Sequence, residues 1–177
     1  MQYGDTEPSL CENSTVKKRQ PASTHKKVAV LLKDRSSLMG YMNPAQLASR
    51  ESLDLLTPDG EHQSVEMKQV RGIYFLREFK LNFEPERRAF LSRPKLDGLW
   101  VRLTFPDEDS IEGVVPNNLL ALLDNGVQIT PPDLNGNTLR IFIPRTALAG
   151  MTVLGVVGIA RRKPAAVVAG QPKLFTE

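Results

Sequence analysis

Several things that catalysis, export or membrane insertion would need are scarce or missing in this 177-residue chain. Cysteine occurs once, at Cys11, so no internal disulfide can form, and a reducing compartment is the natural setting. Histidine occurs twice, as His25 and His62, and neither has a partner at metal-ligand spacing; no zinc site is expected. No apolar run approaches the roughly 18 residues of a membrane span, because proline, glycine or a charge interrupts each one. The opening residues lack the basic-then-apolar order of a secretory signal, so a cytoplasmic location without membrane contact is expected. Neither a Gly-rich phosphate loop nor a Gly-x-Ser-x-Gly elbow is present. The carboxylate cluster Asp107, Glu108 and Asp109 sits in a hairpin turn, where acids serve solvation and local turn bonds. The expectation is a non-enzymatic protein without a cofactor.

What the chain does contain is a foldable middle between polar ends. A hydrophobic share of 41% can fill a core, and 24% charged residues can solvate its surface. The formal charge of +3 tolerates an acidic partner without requiring one. Residues 1–26 are polar and aperiodic and are expected to be a disordered basic tail, with Lys26 and Lys27 at its junction with the folded part. Residues 159–177 read as a flexible C-terminal tail.

Between these tails one pattern occurs twice. Val28 to Leu32, a polar turn at Lys33 to Ser37, and Leu38 to Met42 form a predicted hairpin. Val101 to Phe105, Pro106 to Ser110, and Ile111 to Val115 repeat it without a gap: Val28 falls on Val101, Asp34 on Asp107 and Gly40 on Gly113. Leu53 to Leu56 before Pro58 then matches Val127 to Thr130 before Pro131 and Pro132, and Val65 to Met67 corresponds to Leu139 to Ile143. Gly72 to Leu76 matches Gly150 to Leu154. Five short strands in one order, twice, make an internal repeat. A unit of about 50 residues with a glycine in mid-strand suits a bent sheet closing into a small barrel. The expected fold is therefore all-β: two tandem small five-stranded barrels at 27–79 and 97–158, joined by a helical or coil linker at 80–96 in which Pro85 would open a short helix.

The first repeat, with Leu32-Lys33-Asp34, Leu38-x-Gly40 and Val70-Arg71-Gly72-Ile73, resembles the Sm-like (Hfq-like) family. The likeness covers about residues 27 to 79 and more loosely 99 to 157. It implies that each barrel is of the bent, five-stranded Sm/SH3-like kind, with RNA binding and ring-like homo-oligomers, and with Arg71 and Gly72 in the place of the family's Arg-Gly pair; the second repeat has Ala149-Gly150 there. An Arg71 guanidinium could bind a phosphate or stack on a base, and Lys26 and Lys27 could add phosphate contacts. A second pattern, Ser110-x-x-Gly113 after acids with Arg87 and Arg88 upstream, resembles PilZ domains and implies regulation by cyclic di-GMP. A third, Gln171-Pro172-Lys173-Leu174-Phe175, is similar to the peptide that docks on the bacterial DNA sliding clamp, with Leu174 and Phe175 as apolar anchors and Gln171 as the polar end. The leading expectation is a binding or adaptor module, with RNA as the candidate ligand.

Overall fold

The computed structural model describes residues 24–48, 51–80, 83, 87–118 and 125–158. Residues 1–23 of the predicted N-terminal tail, the whole predicted C-terminal tail and residues 84–86 at the opening of the predicted linker helix lie outside the described residues, whereas Lys26 of the predicted tail opens the first strand. Residues 87–97 are bends and coil. The protein is all-β, and no helix among the described residues is long and apolar enough to cross a membrane.

Ten strands are described. The first five are β1 (Lys26–Leu32), β2 (Ser37–Met42), β3 (Ser52–Leu56), β4 (His62–Glu66) and β5 (Val70–Leu76). The second five are β6 (Gly98–Thr104), β7 (Ser110–Val115), β8 (Gly126–Ile129), β9 (Thr138–Pro144) and β10 (Gly150–Val157). They form a seven-stranded sheet in the order β4-β3-β2-β1-β5-β9-β8 and a three-stranded sheet in the order β10-β6-β7. A bridge between Val114 and Thr130 links the two, with reciprocal backbone hydrogen bonds of 3.0 and 2.9 Å.

The pairing registers repeat as the sequence does. Val28 lies opposite Gly40 and Phe75, and Val101 lies opposite Gly113 and Val153. Tyr41 opposes Leu56, and the matching Val114 opposes Thr130. Leu53 opposes Val65, and Val127 opposes Ile143, which fixes β9 as the counterpart of β4 and β10 as the counterpart of β5.

The expected pair of separate closed barrels is not what the described strands form, because neither sheet closes on itself. The last strand of the first half, β5, pairs instead with β9 of the second, with Ile73 opposite Phe142 and Tyr74 opposite Ile141. Five short strands leave the outer edge of β5 unpaired, and β9 satisfies it. The cores follow this crossing. One cluster fills the first half with Val28, Met42, Leu53 and Ile73, and takes Phe142 from β9. The other joins Val101, Leu103, Ile129 and Ile143 to Ala29, Tyr74 and Leu76, which face away from the first cluster.

Candidate functional site

The two hairpin turns are built alike and used differently. In each, a backbone amide closes a four-residue β-turn: Arg35 N–H donates to Leu32 O at 3.1 Å, and Glu108 N–H to Phe105 O at 3.1 Å. Each then passes through the left-handed region, at φ 70° for Arg35 and 64° for Glu108, as three-residue hairpin loops do. In the first turn Asp34 accepts from the Ser36 amide (2.9 Å) and hydroxyl (2.6 Å), and these bonds lower its pKa. In the second turn Asp109 replaces Ser36 and faces the neighbouring strand with Asp107.

That strand is β5, and the group it presents is Arg71. Its guanidinium donates to Asp107 at 2.6 and 3.2 Å and to Asp109 at 2.9 Å. It also stacks 4.1 Å from the centre of the Phe105 ring, which leaves the side chain 11% exposed. Such a fork on two carboxylates and an aromatic face suits arginine and not lysine. Arg88 pairs with Asp109, and Arg35 reaches Asp107 at 3.7 Å. The Arg71 hydrogen bonds hold the Asp107 carboxyl below the usual carboxylate range. Above these ion pairs lies a cleft of about 500 Å³, walled also by Leu31, Ser37 and Phe83. Its three arginines face three acids, Asp107, Glu108 and Asp109, so its formal charge is zero.

Beneath the cleft, Tyr74 is buried against Phe83, with ring centres 4.8 Å apart, and burial pushes its hydroxyl up to about 12. Arg87 lines a small hollow beside Tyr74 and Asp133. Arg88 fixes its segment through its own carbonyl, which accepts from the Glu112 amide at 2.7 Å. Gly72 lies close beneath the Tyr74 ring, 3.3 Å from where a Cβ would stand.

The other predicted residues lie elsewhere. Antiparallel pairing of β1 with β5 puts Lys26 and Lys27 at the Leu76 end and Arg71 at the Leu32 end, roughly 16–20 Å apart along the strands. The structure thus does not bring the three into one patch. Lys27 Nζ donates to the Arg77 carbonyl at 3.3 Å and sits 5.9 Å from the centre of the Phe79 ring. Phe79 packs edge-on against Tyr41 at 5.1 Å. On β9, Arg140 lies across from Phe75 and stacks over its ring at 4.2 Å. Lys26, Lys27 and Arg140 therefore lie at one end of three adjacent strands, Lys27 with Phe79 and Tyr41 on one face and Lys26 and Arg140, over the buried Phe75, on the other. Arg140 escaped sequence reasoning because only the β5–β9 pairing brings it to Phe75, and Phe79 because only the packing of β5's end beside β1 and β2 brings it to Lys27 and Tyr41. Asp107 and Asp109 were visible as acids, and the signal was that the matching turn carries Lys33-Asp34-Arg35-Ser36 instead. Gln171, Leu174 and Phe175 lie outside the described residues.

The chain matches the family of unknown function DUF6982 over residues 24–155. It belongs to the DUF6982 family. The DUF6982 match runs from before β1 into β10 and so spans both repeats and the strand pair that joins them. No curated protein and no solved structure matches the chain.

Proposed function

We propose that the protein is a non-enzymatic binding module and that single-stranded RNA is its ligand, held at the basic and aromatic end of β1, β5 and β9. The observation that carries this reading is Lys27 beside the partly exposed rings of Phe79 and Tyr41, at the end of the sheet whose opposite face carries Lys26 and Arg140. Cations track a phosphate backbone, and the partly exposed Tyr41 and Phe79 rings offer stacking faces to unpaired bases. A five-strand unit occurring twice adds support, being what likeness to the Sm-like family implies. Under this reading Arg71 is structural: its donors are held by carboxylates, and a phosphate would have to displace them. The same neutralisation of Arg71 and Arg88 weighs against a cyclic dinucleotide in the cleft.

The test is binding of a labelled oligouridylate and a mixed-sequence RNA by the full chain across a salt series. Affinity should fall log-linearly with salt, with a slope of about −0.7 per phosphate contact. Lys26→Ala with Lys27→Ala, and separately Arg140→Ala, should weaken binding to both RNAs and flatten the slope. Arg71→Ala should lower the unfolding midpoint while sparing affinity in the folded fraction. Absence of binding at low salt removes the RNA reading, and loss of binding confined to Arg71→Ala moves the site to the cleft.

A further inference from the structure

We propose that the cleft between the two hairpin turns binds a small zwitterion of amino-acid or dipeptide size, its carboxylate on Arg35 and its ammonium on Glu108. This does not depend on the RNA reading, whose residues lie at the opposite end of the strands. Most charges of the cleft are already used. Arg71 is held by Asp107 and Asp109, and Arg88 by Asp109, so these four form a fixed floor. Two charges are left. Arg35 is 78% exposed and reaches only Asp107 among the described residues, at 3.7 Å, which is longer than a charge-assisted hydrogen bond. Glu108 lines the same cleft, and its carboxylate has no hydrogen bond or ion pair among the described residues.

The repeat explains why these two meet at one cleft. Arg35 and Glu108 are equivalent residues, each at the left-handed position of its turn. The duplication thus sets two equivalent lips around the opening, a cation on the first and an anion on the second. They stand on one stretch of rim, since the carboxylate nearest Arg35 belongs to the chain neighbour of Glu108.

A ligand of one sign is poorly served there. A phosphate on Arg35 would meet Asp107 and Glu108, and a simple cation on Glu108 would meet Arg35. A molecule that carries both charges satisfies both lips, leaves the ion pairs of the floor intact and matches a cleft of zero formal charge. Leu31 and Phe83 supply an apolar wall for its side chain, and Phe83 is steadied by its packing on Tyr74. The volume of about 500 Å³ lies within the roughly 300–1,000 Å³ of small-molecule sites.

The test follows amide chemical shifts of the isotope-labelled full chain during titration with L-phenylalanine and with the dipeptide L-leucyl-L-phenylalanine. Each is also titrated as its N-acetyl form, which lacks the ammonium, and as its C-terminal amide, which lacks the carboxylate. At least one free zwitterion should bind with a dissociation constant of about 1 mM or tighter, and removing either charge should weaken it about tenfold. Asparagine tolerates the left-handed conformation, so Arg35→Asn and Glu108→Asn should each leave the circular dichroism spectrum unchanged. Arg35→Asn should weaken the zwitterion about tenfold, and losing the carboxylate should then cost nothing more. Glu108→Asn should do the same for loss of the ammonium. This crossed pattern assigns each ligand charge to one side chain. No shift changes around the cleft with either zwitterion at about 10 mM overturn the proposal. Capping that costs as much in the variants as in the unaltered chain overturns it too.

Discussion

At the scale of single residues, the strongest polar centre outside the cleft is Glu112. It is 5% exposed, yet every contact it makes is suited to a carboxylate. It accepts from Arg102 at 2.8 and 3.3 Å, from the Trp100 indole at 3.1 Å and from the Phe90 amide at 3.1 Å. Burial alone would raise its pKa, but the Arg102 pair and the two N–H donors outweigh it and bring the value below the ordinary 4.5. A carboxyl with a depressed folded-state pKa contributes stability above its unfolded value, and that stability is lost as pH falls through the folded value. Asp107, held down by Arg71, acts in the same direction. The urea midpoint should therefore hold from neutral pH to about 4.5 and fall in more acid solution. Glu112→Gln should flatten part of that fall, and at neutral pH it should cost about 1–3 kcal/mol, because it removes the charged partner of buried donors. Parallel pH profiles for the two proteins would show that Glu112 is not a titrating contributor.

At the scale of strands, the two mid-strand glycines show how far the sequence could be read. Gly40 and Gly113 stand where strands must come close, and a Cβ on Gly40 would meet the Leu56 carbonyl at 2.8 Å. On Gly113 it would meet Ile129 Cβ at 2.6 Å. Neither neighbour is a flexible chain end, so Gly113→Ala should lose about 1–3 kcal/mol of stability in denaturant titration. Gly155→Ala has nothing within 4 Å and should fall within about 0.5 kcal/mol of wild type. If both behave alike, close approach is not why Gly113 is there. These glycines, the hairpins and the common register were legible because each depends on local spacing. The β5–β9 pairing was not, because strand alternation marks which face is apolar and does not name the neighbouring strand. A trace of it was nonetheless present. Ala29, Met39 and Tyr74 of the first repeat correspond to Arg102, Glu112 and Thr152 of the second, by their pairing in β1–β2, β1–β5 and their counterparts. The outer face of the first repeat is apolar and becomes covered, whereas that of the second is polar. The same long-range origin hid the Arg71 clamp and the basic end, whose members come from separate halves of the chain.

At the scale of the whole molecule, this asymmetry decides whether the repeats are separable. The second core cluster contains Ala29, Tyr74 and Leu76 from the first half among residues of the second, and the first contains Phe142 from the second. Fully burying one large apolar side chain contributes about 1.5–3 kcal/mol. Removing Tyr74, Leu76 and Phe142 from their partners would therefore cost an amount comparable to the whole stability of a small domain, about 5–15 kcal/mol. The cut would also open the edges of β5 and β9 and strip Arg71 of Asp107 and Asp109. Residues 24–80 produced alone should accordingly bind a hydrophobic dye and melt without a cooperative transition, as should residues 87–158. Mixed in equal amounts, the two fragments should regain one cooperative transition and elute as a pair, since every contact that joins them is non-covalent. A cooperative, monomeric fold in residues 24–80 alone would mean that the β5–β9 joint is a docking contact between finished domains. The exposed Tyr74 and Leu76 would then have to be tolerated in water, which their place in a shared core argues against.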